Sequence, residues 1–546
     1  MRFFQDHQLA FVSALLARHF LVLWLSVAAV LIGCWLVLMR TRLRARFMGA
    51  VGNNPFAAFA SLFVVSYLLL LVILIPWHAH LIWRDNPNIV GPWGVMRPYI
   101  NAMGRYTPMA HQGMRAFSHF LDGDKDWFTV MALLLVLTCA ALFFLIKQQG
   151  ALLPALTGVL VAATDVGVAT VYSDTIFSEP AVIAGFLLFA YGSLQYRKHH
   201  DAPYALVAAL GAHVALYTKE VSFTFLAAGS VTYILADLST KPRTSLKWQN
   251  LWKDYAPELL VLVMCCGFLL MYALSTLPIR QGRAYAENEA FHWSYMLRTS
   301  LRQLFNYRIV LMILAIPLFL VSKVRQLPNW ASYFALAAGS LAYVAAYSVL
   351  GLVGYYYTAP AIVAFALVLG WVMASLLAAN GQKLAFLGAI ALVLLLETFP
   401  IALVDRLGKN ESDVDHSSYV LPKAVAAILD YRVEMAQLYQ AAVYLRKLER
   451  ENPGPTTVVL EGQYPWMVKD FLLYARRVLG VRVVRADQPQ EGDYVAVLSR
   501  DRRHVEQHFG GAQYRQVFAS HDVFGGVFSA AQAKKRSYVF QYIGRE

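Results

Sequence analysis

Charge is scarce in this chain. Asp, Glu, Lys and Arg make up 15% of its 546 residues, against about 25% in an ordinary soluble domain. Acids are the scarcer sign, 33 against 47 Lys and Arg, for a net charge of +14. Cysteine is limited to Cys34, Cys139, Cys265 and Cys266, each inside an apolar run. That usage excludes a disulfide framework and offers no thiolate spacing for a metal. A cleavable secretory signal is not expected, because the apolar run 19–39 is too long for a signal core. The mixed residues 1–18 read instead as an interfacial helix. A nucleic-acid binder is excluded as well, since the excess positive charge sits in short loops between apolar runs.

Those runs are what the sequence has in abundance. The chain is 58% hydrophobic with a mean hydropathy of +0.49, and stretches of roughly 20 uncharged residues, the length a bilayer core demands, recur along it. The expected fold class is an α-helical polytopic membrane protein with about 12 spans and a small C-terminal soluble α/β domain. Spans are expected near 19–39, 56–77, 127–146, 150–172, 177–196, 203–218, 221–237, 257–278, 308–322, 331–352, 358–379 and 384–402. Alternate loops are short and basic ("RTRLRARF", "RKHH", "KPRTSLKWQNLWK", "KVR"), and the positive-inside rule makes that set cytoplasmic. The other face then receives 78–126, 172–178, 218–220, 279–307, 353–357 and everything after 402.

After residue 404 the composition becomes that of a soluble protein. A helical linker near 421–450 precedes two strand–helix–strand units, over 456–487 and 493–520. The expected organisation is 1–55 as an N-terminal segment with an extra span, 56–403 as a transmembrane catalytic domain and 404–546 as a periplasmic α/β domain.

Two outer segments carry polar residues that topology does not require. "HLIWRDNPNIVGPWGVMRPYINAMGRYTPMAH" (80–111) holds Arg84, Asp85, Arg97 and Arg105 just past a span. A helix over "RPYINAMGRY" would set Arg97 and Arg105 about two turns apart on nearly one face. "RQGRAYAENEAFHWSYMLRTSLRQLFNYR" (280–308) holds Arg280, Arg283 and His292, then apolar residues at helical spacing that predict an amphipathic helix lying on the membrane. "TDVGVATVYSDTIFSEP" (164–180) brings Asp165 into a span and Asp174 and Glu179 to its outer end. Carboxylates within spans are expensive and usually line cavities, although acids beside Pro180 also serve as helix caps. In "YTKE", Lys219 stands beside Glu220 and is an ion-pair or phosphate candidate.

This layout resembles the GT-C class of integral membrane glycosyltransferases over roughly 56–402. The resemblance is carried by "WRDNPNI" after an outward span, "MGRYTPMA" some twenty residues on, "YSDTIFSEP" in the second outer loop and "YTKE" in the third. Bacterial O-antigen glucosyltransferases and the arabinofuranosyl- and aminoarabinose transferases are the members most similar to it. The resemblance implies a polyprenyl-phosphate-linked sugar as donor, a glycan or protein as acceptor, and Asp85 as the catalytic base. It further implies Arg97, Arg105 and Lys219 as phosphate contacts and Asp174 as a second acid; Arg84, Arg280, Arg283 and His292 are further phosphate or donor candidates, and Asp165 and Glu179 further secondary acids, by their place in the outer loops and spans. Many relatives carry two acids together, whereas Asp85 is followed by Asn86, Pro87 and Asn88. A lone carboxylate is a poor divalent-cation site, so transfer without a metal or other cofactor is expected.

The expected function is therefore inverting transfer of a sugar from a polyprenyl phosphate to an acceptor hydroxyl, at the outer face of a bacterial inner membrane. Two rivals remain at this point. One is an O-antigen ligase or polymerase using a diphosphate-linked glycan. The other is a transporter or lipid flippase, which predicts paired interrupted helices and buried midplane acids.

Overall fold

The computed structural model describes residues 54–82, 99–100, 106–107, 109–110, 120–121, 123–148, 150–241, 248–276, 293–352, 354–398, 423–451, 456–462, 465–521 and 535–544. The expected span at 19–39 and the interfacial helix at 1–18 lie outside them.

Helix α1 (Pro55–Leu74) begins at an Asn54 cap, whose side chain accepts from the amides of Phe56 and Ala57 while Pro55 takes the first turn. A short antiparallel pair, β1 (Tyr99–Ile100) with β2 (Tyr106–Thr107), follows. The bundle continues through α2 (Asp124–Lys147), α3 (Leu152–Ala163), α4 (Val166–Ser173), α5 (Glu179–His199), α6 (Ala202–Thr218), α7 (Ser222–Thr240) and α8 (Trp248–Thr276). Then come α9 (Trp293–Gln303), α10 (Tyr307–Leu320), α11 (Trp330–Val349), α12 (Tyr355–Leu376) and α13 (Ala379–Val393).

Among the described residues, 7 helices are long and apolar enough to cross a membrane, or up to 9 if each of two bent pairs is one span. Helices therefore stand at the expected positions from 56 onward, and the described residues do not confirm a count of about 12. Helix α6 is one of the shorter apolar helices, and α5 carries acid at one end and "RKHH" at the other. The lipid-facing surface is greasy where the spacing predicts it, as at Val65, Leu69 and Ile73 of α1.

The two bent pairs are α3 with α4 (66°) and α9 with α10 (96°). Each break has a side-chain cap. Asp165 accepts from the Val168 amide at 2.9 Å, and Asn306 accepts from the Arg308 amide at 3.1 Å. The caps also bind each other. Asn306 Nδ2 donates to Asp165 Oδ2 at 3.0 Å, while Arg308 Nη1 lies 3.5 Å from that oxygen and donates through Nε and Nη2 to Val161 O and Thr164 Oγ1. The backbone groups released by the breaks are thereby answered inside protein, as a bilayer requires.

Helix α9 is amphipathic, as expected, with its apolar side outward. Trp293, Leu297, Leu301 and Leu304 are exposed, whereas Thr299 and Gln303 are buried. The 96° turn into α10 lays that apolar stripe along the surface that lipid would cover.

Helices α5 and α6 approach through glycine. A Cβ on Gly211 would stand 2.5 Å from Gly185 O and from the Phe189 amide, so no larger residue fits without moving the helices apart.

Helix α14 (Lys423–Glu451) leads into the C-terminal domain of β3 (Thr456–Gly462), α15 (Pro465–Arg477), β4 (Val483–Ala486), β5 (Tyr494–Asp501), α16 (Arg502–Phe509), β6 (Tyr514–Ala519) and β7 (Lys535–Tyr542). The sheet order is β4-β3-β5-β7-β6, with β4, β3 and β5 parallel and β7 antiparallel to both neighbours. Strand β7 was not foreseen. Met467 and Phe471 of α15 pack on one sheet face with Val458 and Leu498, whereas Val505 and Phe509 of α16 pack on the other with Val495, Val497 and Phe540.

Candidate active site: buried charge at the head of an apolar groove

Three of the charged residues singled out in the sequence, Asp174, Glu179 and Lys219, stand where α4 ends, α5 begins and α6 ends. Glu179 opens α5 and Lys219 follows the last residue of α6; both are buried, and they form an ion pair. The sequence sets Lys219 beside Glu220, but its carboxylate partner is forty residues away on the neighbouring helix. Lys219 Nζ also lies 4.9 Å from the ring centre of Tyr357, at the start of α12. Glu220 is buried beside it. Asp174 ends α4 and is fully buried. Asp165 is placed differently. Its two oxygens are used in the interlock of the bent helices, which gives it a structural task.

Seven expected site residues, Arg84, Asp85, Arg97, Arg105, Arg280, Arg283 and His292, lie outside the described residues. One expectation about their neighbourhood is corrected. "RPYINAMGRY" is no continuous helix, because Tyr99 pairs with Thr107 and Ile100 with Tyr106 in the β1–β2 ladder. Tyr and Ile favour a pleated strand, and Gly104 weakens a helix there. Beyond β2 the chain is tied to the end of α6, where Met109 N donates to Tyr217 O at 2.9 Å.

Sequence reasoning missed Arg432. This residue of α14 is fully buried, and its Nη2 donates to Ile75 O, just past α1, and to Ser173 O, at the end of α4. Its guanidinium lies 4.6 Å from the Phe128 ring centre. Burial pushes its pKa down to about 9, against the opposing pull of the Asp174 carboxylate, so it remains a cation at neutral pH. The available signal was an arginine inside an apolar helical stripe, with Leu429 and Met435 one turn to either side.

A second polar junction ties the membrane part to the C-terminal domain. His80 stacks on Tyr439 with ring centres 3.8 Å apart, and its Nδ1 is 3.4 Å from Asp124 Oδ2. Tyr474 donates to that same oxygen at 2.6 Å. Burial pushes the His80 pKa below its ordinary value, with Asp124 opposing. Burial and then Asp124 raise that of Tyr474.

Next to this charged cluster opens a cavity of about 580 Å³ between α2 and α5. Its walls are apolar, with Leu137, Ala141 and Phe144 from α2 and Ala184, Leu187 and Leu188 from α5. Leu137, Phe144 and Leu188 also face outward, so the cavity opens sideways along the lipid-facing surface. Phe177, Ser178 and Met109 line it where it meets the charged residues, because Ser178 immediately precedes Glu179. Midway, the hydroxyls of Tyr172 and Thr138 are hydrogen-bonded to each other at 2.7 Å.

Further ion pairs stand at the opposite end of the bundle among the described residues. Arg197 of α5 pairs with buried Glu258 of α8, and Lys241 sits 2.9 Å from Asp237 and 2.8 Å from Asp254. No grouping of three or more His, Cys, Asp or Glu able to hold a metal ion occurs among the described residues.

The chain is thus a polytopic helical membrane protein with an apolar, laterally open groove headed by buried charge. No family model matches it, and no curated protein matches it. Among solved structures, it is similar to the crystal structure of ArnT from Cupriavidus metallidurans bound to undecaprenyl phosphate, with 13% identity and a TM-score of 0.45 over 89% of this chain and 99% of that one. The apo form of the same protein gives a TM-score of 0.44 at the same identity and coverage. Both likenesses are distant.

Proposed function

We propose that this protein is an inverting membrane glycosyltransferase that moves a sugar from a polyprenyl phosphate to an acceptor hydroxyl on the outer face of a bacterial inner membrane. The observation that carries the reading is the groove between α2 and α5, apolar along its length and ending at Ser178 and Pro180, which flank the buried Glu179 of the ion pair. A polyprenyl chain gains little by leaving bilayer for such a groove, since lipid tails are equally apolar. The groove therefore selects by shape and delivers the headgroup to the charged end. The order of motifs in the outer loops, which resembles that of GT-C enzymes, supports the same reading.

In the proposed step the acceptor oxygen forms a bond to the anomeric carbon while the bond from that carbon to the phosphate oxygen breaks. Asp85 takes the acceptor proton, and the phosphate leaves as a stable anion that requires no general acid. Arg97 and Arg105 hold it, arginine being suited to several phosphate oxygens at once. Arg84, Arg280, Arg283 and His292, in the outer loops, are the further phosphate or donor contacts of this proposal. Lys219 contributes less, because Glu179 already neutralises it. No metal takes part, in keeping with the lone acid of "RDNPN", and the C-terminal domain lies in the periplasm.

The test uses purified protein in nanodiscs, given a polyprenyl phosphate charged with hexose or pentose and, separately, a diphosphate-linked oligosaccharide. Transfer from a monosaccharide phosphate is expected, and Asp85→Asn lowers its turnover by about 10²–10⁴ without moving the thermal midpoint. Transfer from the diphosphate carrier alone, or an Asp85→Asn variant as fast as the parent, overturns the proposal.

A further inference from the structure

In the C-terminal domain, β3 and β5 are adjacent parallel strands whose connections leave in opposite directions. After β3 the chain passes through α15 to β4 on one side; after β5 it passes through α16 to β6 on the other. The two helices cover opposite faces of the sheet. Between the carboxyl ends of such strands neither connection crosses, and a crevice is left at this topological switch point, the place where open α/β sheets bind ligands.

The residues at that crevice are polar. Glu461 and Gly462 end β3, Ser499, Arg500 and Asp501 end β5, and His504 sits in the first turn of α16. Glu461 Oε1 is 2.7 Å from His504 Nε2 and 3.4 Å from Arg500 Nη2, which also donates to Gly462 O at 3.1 Å. All three side chains are partly open to solvent. Beneath them the β5–β7 ladder slips its register between Val497 and Arg500, and Ser499 adopts a left-handed backbone at φ 52°. Ser499 is fully buried, yet its Oγ has no hydrogen-bond partner among the described residues, and neither has the buried Nε of Arg500. Buried polar groups are normally paired, and strained backbone persists where the surroundings hold it for use.

We propose that this crevice binds a saccharide. A pair of neighbouring sugar hydroxyls needs an acceptor and a donor side by side, because each hydroxyl both gives and receives a hydrogen bond. Glu461 supplies the acceptor and Arg500 flanks it as donor, while His504 Nε2 holds the Glu461 carboxylate in place. An isolated phosphate suits the crevice less well, since Glu461 stands at its centre. The ligand is the glycan acceptor, an assignment that rests on the transferase reading; the binding itself does not.

The probe is a printed array of neutral and acidic bacterial-type oligosaccharides, with the full-length protein in detergent as analyte and an unrelated polytopic protein as reference. The parent protein binds at least one saccharide class above the reference. Glu461→Gln and Arg500→Gln each lower that signal at least 10-fold, with thermal midpoints within a few degrees of the parent. Asp85→Asn still binds through this crevice while its turnover falls by about 10²–10⁴. Three results overturn the inference: no saccharide signal above the reference, unchanged binding by Glu461→Gln and Arg500→Gln, or retention only of phosphate- or sulfate-bearing probes regardless of sugar. Transfer without array binding would refute this site and leave the transferase reading standing. Array binding without transfer from any lipid donor would do the reverse.

Discussion

Arg432 Nη2 donates to Ser173 O at 2.8 Å, so a helix that follows the last span in sequence closes over the end of α4, one residue from Asp174. The membrane part is thus completed by a residue from beyond it. Arg432→Met removes a fully buried cation and leaves the Ile75 and Ser173 carbonyls short of a charged donor, a loss of about 1.5–3 kcal/mol for each such bond. A fall of several degrees in the thermal midpoint is expected, with Arg432→Lys between the variant and the parent. An unchanged midpoint for Arg432→Met would show that the helix docks without it.

The ion pair of Glu179 and Lys219 is internal, and its members are worth more together than apart. Lys219→Met strands a buried carboxylate, for which about 3–5 kcal/mol of destabilisation is typical. The double variant Glu179→Gln, Lys219→Met regains most of that loss. Chemical denaturation of all four proteins gives the coupling directly, and additive losses would contradict the pairing.

Acid should loosen the junction of His80, Tyr439 and Asp124. Its pKa in the folded protein is below the ordinary 6.5, so as pH falls through 6.5 the unfolded chain takes up a proton that the folded one refuses. Stability is therefore full above that value and declines as pH falls. His80→Phe keeps a ring against Tyr439 and removes the titration, so its midpoint varies less between pH 7.5 and 5.5. Parallel pH profiles for the two proteins would exclude His80 as the source.

Ala184 lines the groove from α5. Ala184→Trp fills groove volume without entering the helix core, so it should raise the KM for the lipid donor about tenfold or more and leave the thermal midpoint alone. An unaltered KM with long-chain donor would mean that the polyprenyl chain runs elsewhere.

The spans were legible because an apolar run of about 20 residues has few other uses. Their breaks were not. Residues 150–172 read as one continuous span, since Asp165 looks from sequence like a charge in a helix, whereas it caps α4 at the Val168 amide and is held there by Asn306, far along the chain. The linker helix and the strands and helices between 456 and 520 emerged with nearly their true bounds from local periodicity. Strand β7 slots between β5 and β6, a pairing that depends on sheet order and leaves no local trace. Within the site, the acids 174 and 179 stood out as costly residues near apolar runs, but the partner of Lys219 and the reach of Arg432 are tertiary facts. The expected helix around Arg97 and Arg105 failed because a plausible arginine spacing outweighed the strand preference of Tyr99, Ile100 and Tyr106.

The interlock of Asp165, Asn306 and Arg308 has a consequence for how such a chain can diverge. Asp165 and Asn306 each cap their own bend and bind each other, and Arg308 reaches across to Asp165, Val161 O and Thr164 Oγ1, so losing one removes a partner from the other two. Among descendants of a common ancestor, positions 165, 306 and 308 should be inherited or replaced as a set, whereas the lipid-facing leucines around them drift freely.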